Sequence, residues 1–112
     1  MPFKTFKLLD MGTVAANGGT STKEWDFDSD YIIKRIYFVE KNDYSLSNVV
    51  GTIWIENTPL TKEDIPVRLF GNDLKTAVEL DLAVKEDWHF KVAVKNNYTT
   101  ARDIYVVLEL HT

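Results

Sequence analysis

The feature that most constrains this chain is an alternation of apolar and polar residues with a period of two, interrupted by turn-forming residues. Segment 88–95 shows it most clearly: its even-numbered positions are all apolar, and a histidine and two lysines occupy odd-numbered ones. Successive side chains of a β-strand point to opposite faces, so this segment predicts a strand with one buried and one solvated face. No segment sustains the 3.6-residue period of a helix. The sequence therefore predicts an all-β protein.

Eight segments carry such patterns, and residues typical of turns fill the gaps between them. We expect the first two segments to pair with each other. The fifth contains Pro66, which indicates a strand start or a sheet edge. In the third, strict alternation places Ile32 with Ile36 and Phe38 on one face. The eight predicted strands are 3–9, 23–28, 31–40, 48–56, 65–70, 78–84, 88–95 and 104–111.

Strands at this spacing are typical of a sandwich or a barrel. The chain has no cysteine and no obvious tyrosine corner, which disfavours an immunoglobulin-like domain. An up-and-down barrel favours tight hairpins, but gaps 56–64 and 70–77 are longer, as strands crossing between sheets require. We read segment 61–64 as part of such a β-arch loop, in preference to a turn of helix. The predicted fold is an eight-stranded antiparallel β-sandwich, with the jelly roll preferred.

Length and composition bound the organisation. A chain of 112 residues, 45% of them hydrophobic, fits a single domain spanning 1–112. Residues 1–22 would form either a first strand followed by a Gly-rich turn, or an arm that pairs with a neighbouring subunit. Phe3 and Phe6 in this segment are therefore candidate interface residues.

The charge of the chain limits the classes of partner that it can bind. The net charge is −4, and no basic run exists, which argues against a nucleic-acid backbone or an anionic membrane as partner. No apolar run approaches the length of a membrane span. The N-terminus lacks the apolar core of a signal peptide, so we expect synthesis as a soluble cytosolic chain.

An acidic cluster resembles the opening of a calcium-binding loop, because carboxylates stand at every second position: Asp26, Asp28 and Asp30. The pattern then departs from that loop, since Tyr31 stands where glycine is required and Tyr37 where a bidentate glutamate is required. A solvated strand end running into an Asp-rich turn is the preferred interpretation. These three residues remain the calcium candidates, and no cofactor is expected.

Catalysis has few candidates. His89 and His111 are both predicted on outward strand faces, and two histidines supply half a metal site at most. Ser45 and Ser47 lack the glycine pattern of a nucleophile elbow, although Asp87 offers a carboxylate. We therefore expect a non-enzymatic protein, with neither catalytic residues nor a bound metal.

Aromatic residues suggest a binding surface instead. Trp54 is predicted on a semi-polar face, and together with Tyr37 and Tyr105 it would form an amphipathic patch suited to a sugar ring or another subunit. Core placement is the alternative for each of them. Trp25 and Trp88 are expected in the core because they are in register with apolar neighbours.

Two stretches carry a family resemblance. One is Leu8–Ala16 leading to Trp25–Phe27, and the other runs from Ile53 to Leu60, through Pro66–Phe70, and closes on Asn96–Asn97 and Ile104–Leu110. Together they resemble small single jelly-roll structural proteins of viruses, such as minor capsid, turret and decoration subunits. The resemblance spans most of the chain and consists of strand patterning and turn placement. It implies synthesis in the host cytoplasm, self-assembly into trimers or pentamers, and a place in the virion beside other capsid proteins.

The strand faces add a physical argument. Segments 31–40, 48–56 and 104–111 carry more apolar surface than one core would use, which favours an assembling subunit over an isolated domain. A carbohydrate- or receptor-binding module, assisted by calcium at the acidic cluster, is the alternative. An enzyme of the cupin type would need several inward histidine and glutamate ligands, and the chain has two histidines.

Overall fold

Two antiparallel sheets packed face to face make up the fold of the computed structural model, which describes residues 4–73 and 75–112. The elements are β1 (Lys4–Val14), β2 (Gly19–Asp26), β3 (Tyr31–Glu40), β4 (Val49–Ile55), β5 (Thr58–Pro59), β6 (Ile65–Pro66), the 3-10 helix η1 (Val67–Phe70), β7 (Leu82–Val84), β8 (His89–Asn96) and β9 (Arg102–His111). Within the described residues no helix is long and apolar enough to span a membrane.

The order of the strands is that of a jelly roll. Sheet I has the order β1-β9-β3-β7, and sheet II has the order β2-β8-β4-β5, with β6 also paired to β4. Apart from β4 to β6, which stay in sheet II, consecutive strands belong to opposite sheets, and all pairs are antiparallel. This arrangement is the double-sheet jelly roll, so the predicted fold class is confirmed, with the two-residue strand β5 raising the count among the described residues to nine.

The predicted pairing of the first two strands is wrong. β1 pairs with β9 in sheet I, whereas β2 pairs with β8 in sheet II. The physical reason is the jelly-roll connection itself, which carries each strand over to the opposite sheet. Alternation along a strand identifies its buried face but not its partner.

Two predicted strands are much shorter than expected. In segment 65–70 the chain leaves the sheet after Pro66 and forms η1, whose buried residues Val67 and Phe70 are three apart and so lie on one side of a 3-10 helix. In segment 78–84 the strand begins at Leu82, directly after Asp81, which has a left-handed backbone with φ of 54°. Segment 61–64 is not helical, but the arch between sheets expected there is wrong, because β4, β5 and β6 on its two sides all belong to sheet II.

The core lies between the sheets and is built from the faces that the alternation predicted. Sheet I contributes Ile104, Val106, Leu108 and Leu110 from β9, and sheet II contributes the buried even-numbered residues of β8 from Phe90 to Val94. Trp25 and Trp88 are partly buried and pack against this core.

A β-bulge changes the expected face assignment in β3. The register with β9 shifts between Ile33 and Arg35, so one extra residue enters the strand. Ile33 therefore joins Ile36 in the core, and Ile32 moves to the outer face, where it is exposed. Strict alternation had placed Ile32 on the same face as Ile36 and Phe38.

Candidate assembly surface

The outer face of sheet I brings together side chains from its three long strands. Successive β1–β9–β3 rows follow from the two registers. We term this surface the sheet I face, with the rows Lys4–His111–Ile32, Phe6–Glu109–Arg35, Leu8–Val107–Tyr37 and Asp10–Tyr105–Val39.

Much of the sheet I face is apolar. Phe6 is 56% exposed and Leu8 is 51% exposed, although both belong to a regular strand. Val107, Tyr105 and Val39 are half-buried beside them. Large apolar side chains grouped on one face of a small domain indicate an interaction surface.

The outer face of sheet II is different. Its middle row is Thr22–Ala93–Thr52, and the neighbouring row places Lys91 between Glu24 and Trp54. Hydroxyl and charged groups therefore dominate where the sheet I face has valine, leucine and tyrosine. The apolar surplus that the sequence predicts on β3 and β9 is thus concentrated on one side of the sandwich, where β1 extends it.

Glu109 lies at the centre of the sheet I face, and its side chain is only 1% exposed. The Tyr37 hydroxyl donates a 2.6 Å hydrogen bond to its Oε1 atom. The Arg35 Nη1 atom donates to Oε2 at 3.0 Å, and Nε2 of His111 lies 2.7 Å from the same oxygen. The Lys4 ammonium lies 3.9 Å from Oε2. Both carboxylate oxygens are therefore engaged by neighbouring strands.

This cluster shifts two ionisation equilibria. Burial tends to raise the pKa of Glu109, but hydrogen bonds from Tyr37 and His111 and the charges of Arg35 and Lys4 outweigh it, so the net pKa lies below its ordinary value. Burial, followed by the hydrogen bond to Glu109, raises the pKa of Tyr37 to about 12. The carboxylate is therefore ionised and the phenol neutral at physiological pH.

The Glu109 cluster makes the face suitable for coverage by another protein. Transferring a bare charge from water into an interface is expensive, and charged residues are depleted at interface centres. Here the central carboxylate is already removed from water and fully paired within the subunit. Covering it with a second protein therefore adds little further desolvation, and arginine and tyrosine beside it are residue types enriched at interfaces.

The predicted aromatic patch does not form. Tyr37 and Tyr105 both lie on the sheet I face, but Trp54 belongs to β4 and points outward from sheet II, under the Lys91 ammonium at 4.9 Å from its ring centroid. The side chains cannot share one surface because β4 belongs to sheet II, whereas β3 and β9 belong to sheet I. Alternation does not reveal which sheet a strand joins. Phe6 is exposed, whereas Phe3 lies outside the described residues.

The three acidic candidates for calcium point to separate partners. Asp26 contacts Nδ1 of His89, Asp28 accepts a 2.7 Å hydrogen bond from the Tyr31 hydroxyl, and Asp30 accepts one of 2.8 Å from a backbone amide. Among the described residues no group of three or more metal-ligating side chains could hold an ion. Each carboxylate therefore has a local structural role in its loop.

The remaining catalytic candidates are also dispersed. His89 lies on the outer face of sheet II, where its hydrogen bond with Asp26 raises its pKa, whereas His111 belongs to the Glu109 cluster. Ser45 and Ser47 share a 2.6 Å hydrogen bond in the loop after β3, far in sequence from both histidines. Glu109 and Arg35 were not predicted as site residues, and the signal that the sequence offers for them is a carboxylate within the otherwise apolar strand β9.

A cleft of about 400 Å³ lies beside that loop. Tyr44, which is exposed, and the hydroxyls of Ser45 and Ser47 line it, together with Arg68 and Asn72. The Arg102 guanidinium lies 5.3 Å from the Tyr44 ring and holds that side chain beside the cleft. The cleft combines an aromatic ring with hydroxyl, amide and guanidinium groups.

Compared with known proteins, the chain matches no family model and no curated sequence. The jelly-roll fold and the surfaces described above therefore have to indicate its function.

Proposed function

We propose that this protein is a non-enzymatic structural subunit of a virus particle, of the minor capsid, turret or decoration class. It assembles with copies of itself through the sheet I face. The observation that carries the proposal is the apolar sheet I face around the neutralised Glu109 cluster, on a jelly-roll sandwich.

The fold narrows the alternatives. Double-sheet jelly rolls serve as viral capsid proteins, lectins and cupins. Cupin chemistry gains no support, because the described residues contain no cluster of three metal-ligating side chains. His89 and His111 both lie on the outer faces of their sheets. A capsid-type subunit needs outward surfaces for its neighbours, and the sheet I face provides one.

The charges on the sheet I face indicate that a second copy of the protein binds to it. The sheet I face carries both signs of charge at its margin, with Lys4 at one end of β1 and Asp10 at the other, around apolar side chains. Such a surface can complement itself on a symmetry-related copy. A closed trimer or pentamer is the assembly that the viral resemblance implies.

The proposal is tested by producing the full chain, measuring its mass by light scattering and offering it to particles of viruses whose genomes encode the chain. A symmetric oligomer that is incorporated into particles supports the proposal. A monomer at every concentration, with no incorporation, contradicts it.

A second candidate function is glycan binding, favoured by the cleft beside Tyr44 rather than by the acidic cluster. Sugar rings stack on exposed aromatic side chains and exchange hydrogen bonds with hydroxyl and amide groups, and this cleft offers both. Binding on a glycan array that is lost in Tyr44→Ala and kept in Tyr105→Ala would support this candidate. An array without signal, with and without calcium, would contradict it.

A further inference from the structure

The unpaired edge of strand β1 is a second surface through which the molecule could bind another chain. β1 is the outermost strand of sheet I, and within the described residues its sheet partner is β9 alone. An unpaired strand edge presents backbone donors and acceptors that another strand can use. β2, the corresponding edge of sheet II, exposes threonine, lysine and acidic side chains, whereas β1 exposes Phe6 and Leu8.

The register identifies which residues present their backbone groups at this edge. The Lys41 amide donates to the Asp103 carbonyl at 2.8 Å, so the backbone groups of Asp103 point toward β3. Alternation along β9 then directs those of Leu108 toward β1, where its partner is Lys7. Phe6 and Leu8 flank Lys7 in the strand, so their backbone groups point away from β9.

The usable edge ends at Asp10. Its Oδ1 atom accepts a 2.8 Å hydrogen bond from the Gly12 amide, within a β-bulge where Gly12 has φ of 71°. The Met11 carbonyl accepts a 2.7 Å hydrogen bond from the Ser21 hydroxyl of β2. Among the described residues, the regular unpaired edge thus runs from Lys4 to Asp10.

We propose that this edge pairs, antiparallel and about a two-fold axis at Lys7, with the same edge of a second copy. This register places Phe6 opposite Leu8 of the second copy and Lys4 opposite Asp10, and the symmetry repeats both contacts. Apolar and opposite-charge pairs directly across strands are the stabilising combinations. A segment that is complementary to itself when reversed fits a two-fold contact.

Neighbouring registers are less favourable. A two-fold axis at Phe6 places Lys4 opposite Leu8, and an axis at Leu8 places Phe6 opposite Asp10. Each of these registers sets a charge against an apolar side chain. At the favoured centre the two Lys7 side chains meet, but each ammonium is directed to its own subunit's Trp25, 5.3 Å from that ring.

Pairing joins the two copies of sheet I into one continuous sheet and makes one surface of their two sheet I faces. A two-fold contact uses the same strand of both copies, so it joins subunits two at a time. The two subunits can belong to different trimers or pentamers. The proposed pairing rests on the proposed function, because it supplies one of the contacts between copies of the assembling subunit.

The test exploits the absence of cysteine from the chain. Phe6→Cys and Leu8→Cys are prepared separately, then mixed and mildly oxidised. Opposed Cα atoms in a hydrogen-bonded antiparallel pair lie about 5.5 Å apart, within the disulfide range of about 4.4–6.8 Å. Two copies of residue 6 would be about 8–9 Å apart, beyond that range.

The expected result is a covalent dimer in the mixture and little in either variant alone. Prior pairing raises the local thiol concentration to the order of millimolar, so cross-linking should be at least about tenfold faster than in a mixture of Leu8→Cys with Leu69→Cys. Leu69 is a suitable control because it is similarly exposed, on η1. Cross-linking in either single variant at the rate of the mixture would overturn the proposed register.

The two proposals fail in different ways. An oligomer by light scattering without cross-linking in the mixture overturns the β1 pairing and leaves the proposed function standing. Rapid cross-linking in the mixture, in a chain that particles never incorporate, supports the β1 pairing and contradicts the virion role.

Discussion

The Tyr37 hydroxyl and the Glu109 carboxylate are joined by a 2.6 Å hydrogen bond between adjacent strands of sheet I. The two residues are diagonal neighbours, since Tyr37 lies opposite Val107 and Glu109 lies opposite Arg35. The bond therefore ties two successive rows of the sheet I face together. It also seals the carboxylate from water on the side where the apolar part of the face begins.

Glu109→Gln should lower the free energy of unfolding by about 2 kcal/mol, because hydrogen bonds to a charged group contribute roughly 1.5–3 kcal/mol and Arg35 loses its ion pair. Urea unfolding of the wild type and variant measures the difference. Glu63→Gln, at an exposed loop position, is the control and should change stability by less than about 0.5 kcal/mol. Equal effects of the two substitutions would contradict the role assigned to the Glu109 cluster.

The same cluster predicts an acid-sensitive stability. The pKa of Glu109 is lowered in the folded state, so ionisation favours folding. This contribution is fully present above the unfolded pKa of about 4.3 and is lost as the pH falls through the lower folded pKa. Unfolding measured from pH 6 to pH 3 should therefore show a smaller decline in Glu109→Gln than in the wild type. Parallel declines would show that Glu109 does not carry the effect.

Gly51→Ala tests the packing between β4 and the elements around it. A Cβ atom there would lie 2.8 Å from the Ala93 carbonyl oxygen and 2.9 Å from Cγ1 of Val67. We expect a loss of about 1–3 kcal/mol, the range typical of overpacking. Lys62→Ala, at an exposed loop position, is the control and should change stability by less than about 0.5 kcal/mol. Thermal unfolding of both variants would reveal the difference, and an unchanged Gly51→Ala would contradict this packing.

The sequence predicted the buried faces of β8 and β9 correctly because the even-numbered positions from 90 to 94 and from 104 to 110 are all apolar. It could not predict the bulge that moves Ile32 outward, since an inserted residue leaves no mark on a strand that is apolar on both faces. Nor could it predict the partner of β1, because the register with β9 joins residues about a hundred positions apart and depends on the closed sandwich.

The candidate surface was predictable in kind but not in membership. The apolar surplus of β3 and β9 was visible in the sequence, and these strands are neighbours in sheet I. β4 carried a similar surplus but joined sheet II, which separated Trp54 from Tyr37. Alternation places Glu109 on the outward face of β9, and its burial comes from Arg35, Tyr37 and His111 on the surrounding strand positions.

The most direct test of the central claim is sedimentation equilibrium of the wild type beside two matched lysine variants. Val107→Lys puts a charge at the centre of the sheet I face, and Ala93→Lys puts one at the corresponding place on sheet II. We predict that the wild type and Ala93→Lys form the full oligomer, and that Val107→Lys sediments as nothing larger than two folded subunits of 12.9 kDa joined at β1. A wild type that stays monomeric throughout, or association that persists unchanged in Val107→Lys, would contradict assembly through this face.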